Sequence, residues 1–66
     1  MIDFDLYGGP SVFVLYPHTE EAQEWIDNNL PADAPTLGNG VAIEHRYVGD
    51  IYEGILRDGL TIKRSH

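Results

Sequence analysis

The sequence predicts an α+β domain, ββαβαβ in order, with two helices packed on one face of a three- to four-stranded sheet. Strand periodicity marks the start of the chain, helical periodicity marks two later segments, and Gly- and Pro-rich breaks separate them.

Ile2-Asp3-Phe4-Asp5-Leu6 alternates apolar and acidic residues with period two, the pattern of an edge strand whose aspartates form its wet side and discourage aggregation. Gly8-Gly9-Pro10 breaks the pattern as a turn. Ser11 to Tyr16 is a nearly continuous β-branched and aromatic run, expected of a more central strand that closes a hairpin with the first. Pro17 ends that strand, and Thr19 is a good N-cap for a helix from Glu20 to about Asn29. At 100° per residue, Ala22, Trp25 and Ile26 share one face of that helix, and Glu20, Glu21, Glu24 and Asp27 share the opposite one.

Pro31 to Gly40 is a connection rich in Pro and Gly, expected to wrap one end of the core. Val41 to His45 is the third strand. A second helix runs from roughly Tyr47 to Arg57, with Tyr47, Val48, Ile51 and Ile55 on one side and Asp50, Glu53 and Arg57 on the other. Glu53 and Arg57 are correctly ordered for an i,i+4 pair. Gly59 supplies a left-handed C-terminal cap, and Leu60 to Lys63 is a short last strand.

One domain, residues 1–66, accommodates these elements, and it has no internal repeat or low-complexity segment. The chain has no cysteine, which rules out a disulfide framework and any thiolate metal site and fits a reducing cytoplasm. No apolar run approaches the ~18 residues of a membrane span. The acidic start, Met1 to Asp5, lacks the basic region of a signal peptide, so export is not expected. A 42% hydrophobic content with seven aromatic residues predicts a folded chain. With only four Lys and Arg, direct binding to nucleic acid or to an anionic membrane is not expected.

Catalytic motifs are missing. Gly38-Asn39-Gly40 precedes a strand and is a turn, not a dinucleotide fingerprint, and there is no Walker loop, HExxH pattern, nucleophile elbow or EF-hand loop. Glu44 and His45 are adjacent on a strand and point to opposite faces, so they form a dyad only across a sharp bend. His18 lies near Glu20 and Glu21, but a divalent site needs three or four convergent ligands, so a surface or capping role is expected of His18 and His45; His66 is terminal. Paired carboxylates could do acid–base work only in a desolvating cleft, for which a domain this small has little room. A non-enzymatic protein is expected, without catalytic residue, metal or cofactor.

The charge pattern is the informative feature. Residues 1–45 contain Asp3, Asp5, Glu20, Glu21, Glu24, Asp27, Asp33 and Glu44 and no Lys or Arg; all four basic side chains (Arg46, Arg57, Lys63, Arg64) follow them. Part of this has a purely structural account. Glu20 and Glu21 meet the positive end of the helix dipole, Asp33 lies in a loop, and acidity promotes solubility. Glu24 and Asp27 fall outside that account: they extend a like-charge row at i, i+4, i+7 that costs a few tenths of a kcal/mol per neighbour. Such a row can imitate nucleic-acid phosphates and compete for a Lys- and Arg-lined groove. The expected partner-binding residues are Glu20, Glu21, Glu24 and Asp27, with Asp33, Asp50 and Glu53 as extensions. Among the aromatics, Tyr7 and Tyr52 are the ones expected at the surface, where either would anchor an interface.

The segment Val41 to Leu60 (VAIEHRYVGDIYEGILRDGL), with Pro17-His18-Thr19 and Glu24-Trp25-Ile26, resembles short uncharacterised proteins encoded on bacterial plasmids, prophages and other mobile elements. The likeness runs from about Ser11 to Ile62 and implies a host-interaction role without any activity. In size and charge, though in no motif, the chain is also similar to small acidic phage proteins that inhibit CRISPR effectors. These observations predict a cytoplasmic interaction protein, a monomer or weak dimer. It would inhibit a host nucleic-acid-binding protein, with a CRISPR–Cas effector as the specific candidate. Two alternatives are a regulatory or toxin-neutralising partner docking through a sheet edge or apolar patch, and a small metal-dependent enzyme.

Overall fold

Seven elements follow one another in the computed structural model, which describes residues 1–65; His66 lies outside the described residues. They are β1 (Phe4–Gly8), β2 (Val12–Pro17), α1 (Glu20–Asn29), β3 (Thr36–Leu37), β4 (Gly40–Glu44), α2 (His45–Arg57) and β5 (Ile62–Ser65). The fold is α+β, but the sheet has five strands, in the order β3-β4-β2-β1-β5. The fifth is β3, inside the segment expected to be a loop. Its two residues pair with Val41 and Gly40 across Gly38-Asn39. Gly38 has φ +60° and Asn39 has no positive φ, which is the signature of a type II′ hairpin turn.

The first strand is not an edge. β2 flanks it antiparallel and β5 flanks it parallel, returned to that side by α2. Asp3 is therefore a tie rather than the wet side of a strand. Its Oδ1 accepts from the Thr19 hydroxyl at 2.7 Å and its Oδ2 from the Thr61 N–H at 3.0 Å, while its carbonyl accepts from the His18 N–H at 2.7 Å. These bonds join the chain start to the entries of α1 and β5. The Thr19 and Thr61 bonds hold the Asp3 carboxyl below its ordinary pKa, the Thr19 bond contributing most. Thr19 itself caps α1 as expected, accepting the Ala22 N–H at 3.1 Å.

One face of the sheet carries the core. In register, Leu6 opposes Leu15 and Leu15 opposes Val41, and Phe13 opposes Ile43. Onto this face α1 packs Ala22, Trp25 and Ile26, and α2 packs Val48 and Ile55. The Trp25 ring meets Phe4 edge-on at 5.9 Å, and its Nε1–H donates to Asp58 Oδ2 at 2.7 Å. Gly54 lets α2 lie against that ring, where a Cβ would stand 3.2 Å from it. Helix α2 begins two residues earlier than the periodicity indicates, because the extended backbone of Glu44 turns directly into it. It ends as expected, with Gly59 at φ +82°, the Gly59 N–H on Leu56 O and the Leu60 N–H on Ile55 O, both at 3.1 Å.

Among the described residues no helix covers the other face. Val14, Tyr16 and Tyr7 line it, with Leu37 at one edge and Lys63 at the other, and the two tyrosine rings stand edge-on at 5.5 Å. Among the described residues no helix is long and apolar enough to cross a membrane.

Candidate protein-binding surface

The outer face of α1 is a short acidic rod. Glu20 and Glu21 occupy its first turn, Glu24 and Asp27 continue the row, and all four are exposed. Its last turn contains no basic residue. Asp27 accepts a hydrogen bond from the Gln23 amide at 3.1 Å, a neutral partner that leaves the charge in place.

The four basic side chains lie off α1, and two of them, Arg46 and Arg57, are exposed on α2. Among the described residues one ion pair joins fixed charges, Arg46–Glu44 at 2.9 Å, and His18 Nε2 lies 2.7 Å from Asp5 Oδ2, a contact that is ionic only with the imidazole protonated; neither involves α1. Arg46 also lies 4.8 Å from the centre of the Tyr47 ring, and Arg64 lies 5.4 Å from that of Phe13. Lys63 is on the helix-free face of the sheet. The expected Glu53–Arg57 pair does not close to ion-pair distance.

Asp33 and Asp50 belong to a different feature. They line a groove of about 790 Å³ between the segment after α1, β4 and the first turns of α2. Its apolar wall includes Leu30, Val41, Ile43 and Ile51; Glu44 and Tyr47 also border it. Among the described residues no Lys, Arg or His lines it. Glu53 is exposed on α2 and lines neither feature. The seven acidic residues singled out from the sequence thus separate into an α1 row of four, a groove pair and one isolated side chain.

The histidines make local contacts. His18 Nε2 bonds Asp5, not the glutamates that follow it, and His45 Nε2 bonds Gly9 O at 3.1 Å with its ring edge-on to Phe13 at 4.8 Å. The sharp bend that a Glu44–His45 dyad requires is present, yet Glu44 turns to Arg46 and His45 to the β1–β2 turn. Among the described residues no three His, Asp or Glu side chains converge as metal ligands. Tyr7 is exposed, at 41%, as expected, whereas Tyr52 is half-buried against the core, and Tyr47 is the exposed tyrosine of α2, at 47%.

Sequence reasoning missed the groove. Leu30, Ile43 and Ile51 lie in separate segments, and no local pattern joins them. Compared with protein-family models, curated proteins and solved structures, the chain matches none.

Proposed function

We propose that this chain is a non-enzymatic interaction protein that lays α1 on a basic, nucleic-acid-contacting surface of another protein and blocks it. One observation carries this reading: Glu20, Glu21, Glu24 and Asp27 are exposed along one helix with no cation in ion-pair reach among the described residues. At a rise of ~1.5 Å per residue these four carboxylates span ~10.5 Å, one charge per ~3.5 Å of axis. A single strand of duplex DNA presents one phosphate per ~3.4 Å of axis. The row therefore matches the linear charge density that a phosphate-binding groove accepts, and such a surface associates quickly through electrostatic steering. On the resemblance to proteins of plasmids and prophages, the setting is a bacterial cytoplasm and the target a host protein, a CRISPR–Cas effector being the specific candidate.

The test is capture from host lysate on the tagged protein, washed at low and high salt and analysed by mass spectrometry, beside a Glu24→Lys/Asp27→Lys variant. A nucleic-acid-binding protein retained at low salt, released at high salt and absent from the variant supports the reading. Capture that the variant leaves unchanged refutes it. One observation favours the regulatory or toxin-neutralising alternative: the helix-free sheet face, with Tyr7 and Tyr16. Its result would be capture that survives high salt and is lost on Tyr7→Ala.

A further inference from the structure

The groove beside β4 exists because β3 is short. Thr36 and Leu37 pair only with Val41 and Gly40, the Ala42 N–H takes Pro35 O at 2.9 Å, and there the flanking segment ends. β4 continues to Glu44 with no neighbour strand on that side, and Leu30 and Ile51 are left half-buried along the opening. Its ~790 Å³ falls within the roughly 300–1,000 Å³ typical of ligand clefts.

Its chemistry is two-sided. The wall is aliphatic, and Asp33 and Asp50 stand at its border with no hydrogen bond or ion pair from the described residues. Glu44 is already engaged by Arg46, so it adds little free charge. Apolar walls of low dielectric concentrate the field of the two free carboxylates, which repels anions. A wholly apolar ligand gains nothing from those carboxylates. The complementary group has an alkyl stem and a cationic head, the architecture of arginine and lysine.

We infer that this groove seats an arginine or lysine side chain carried by the protein partner, with its stem against Leu30, Ile43 and Ile51 and its head at Asp33 and Asp50. The inference rests on the proposed function in one respect, that the partner surface is basic. It adds a second anchor to the α1 row, one that reads the shape of a side chain as well as its charge.

The probe is n-butylguanidinium titrated into the ¹⁵N-labelled protein, with guanidinium and n-butanol as controls and amide shifts as the readout. Saturable shifts centred on Leu30, Asp33, Ile43 and Ile51 are expected for n-butylguanidinium, and neither control should reproduce them. Asp33→Asn/Asp50→Asn alters only exposed side chains and should weaken binding roughly five- to tenfold, an order set by the loss of two partly exposed charge contacts. Glu24→Lys/Asp27→Lys should leave it unchanged. Shifts spread along α1, shifts insensitive to the Asn pair, or no saturable shift at the groove would overturn the inference. Each of those outcomes leaves the lysate result with the α1 row standing, so the two proposals fail separately.

Discussion

If Glu24 is kept for a partner, replacing it should make the free protein more stable. Glu24 has Glu20 four residues before it, Glu21 three before it and Asp27 three after it, all exposed on the same helix. Glu24→Lys turns three repulsive neighbours into three attractive ones. Each sign contributes about 0.2–0.5 kcal/mol at these spacings. The full change therefore approaches ~2 kcal/mol, and solvent screening of exposed charges reduces it to about 1 kcal/mol at low ionic strength. Helix propensity barely differs between Glu and Lys, and position 24 lies beyond the first turn, so dipole effects are small.

The assay is urea or thermal unfolding followed by the fluorescence of Trp25, the single tryptophan and a buried one. For a domain of this size, about 1 kcal/mol raises Tm by ~4–8 °C. The gain should shrink as salt is added, and Glu24→Gln should give roughly half of it. The same variant should lose lysate capture. A neutral or destabilising Glu24→Lys would show that solvation already cancels the repulsion. The row would then impose no cost needing a functional explanation, and the reasoning from charge to partner would fail.

Two glycines of α2 should respond in opposite directions to alanine. A Cβ at Gly49 meets nothing within 4 Å, so Gly49→Ala should stabilise by about 0.5–1 kcal/mol through helix propensity. At Gly54 the new Cβ stands 3.2 Å from a Trp25 ring that is fixed by Asp58 and Phe4, and the overpacking cost of roughly 1–3 kcal/mol outweighs the same gain. Denaturant midpoints of the two variants check both signs. Asp3 has a folded pKa below its unfolded one, so its contribution is present above the ordinary carboxylate range and lost as pH falls through the lowered value. Asp3→Asn should remove that component from the acid limb of a stability–pH curve; an unchanged acid limb would dispose of the tie.

Helical elements were more legible than the sheet because their signals are local. The Thr19 cap, the Ala22–Trp25–Ile26 face and the Gly59 terminator each act within a few residues, and α1 spans Glu20–Asn29 as the periodicity indicates. Strand positions were found to within two residues, but strand order depends on which segments meet. Ile2 to Leu6 has the alternation of a half-wet edge, and nothing within it announces that β5 will lie alongside. The wet side is in fact used: Asp3 ties three segments together and Asp5 holds His18. A two-residue strand such as β3 is too short to carry a period, so the fifth strand was invisible for the same reason that the groove was.

The two acidic features differ in the same way, and the difference bears on how the molecule would meet a partner. The α1 row is visible by counting, since one helix presents it whatever the tertiary fold. The groove pair Asp33 and Asp50 becomes a pair only when β3 stops short and α2 starts at His45. The fold also sends Lys63 to the helix-free face and engages Arg46 with Glu44 and Tyr47. Acidic side chains thereby gather on the helical layer, where Arg46 and Arg57 of α2 offset only part of their charge, and on the tyrosine-lined face Asp5 stands beside Lys63. A globule polarised in this way turns its helices toward a basic surface before contact, which raises the productive fraction of encounters. Keeping cations off α1 is therefore as much a part of the candidate interface as the carboxylates. Placing one there, as Gln23→Lys would, should slow association more than it changes dissociation.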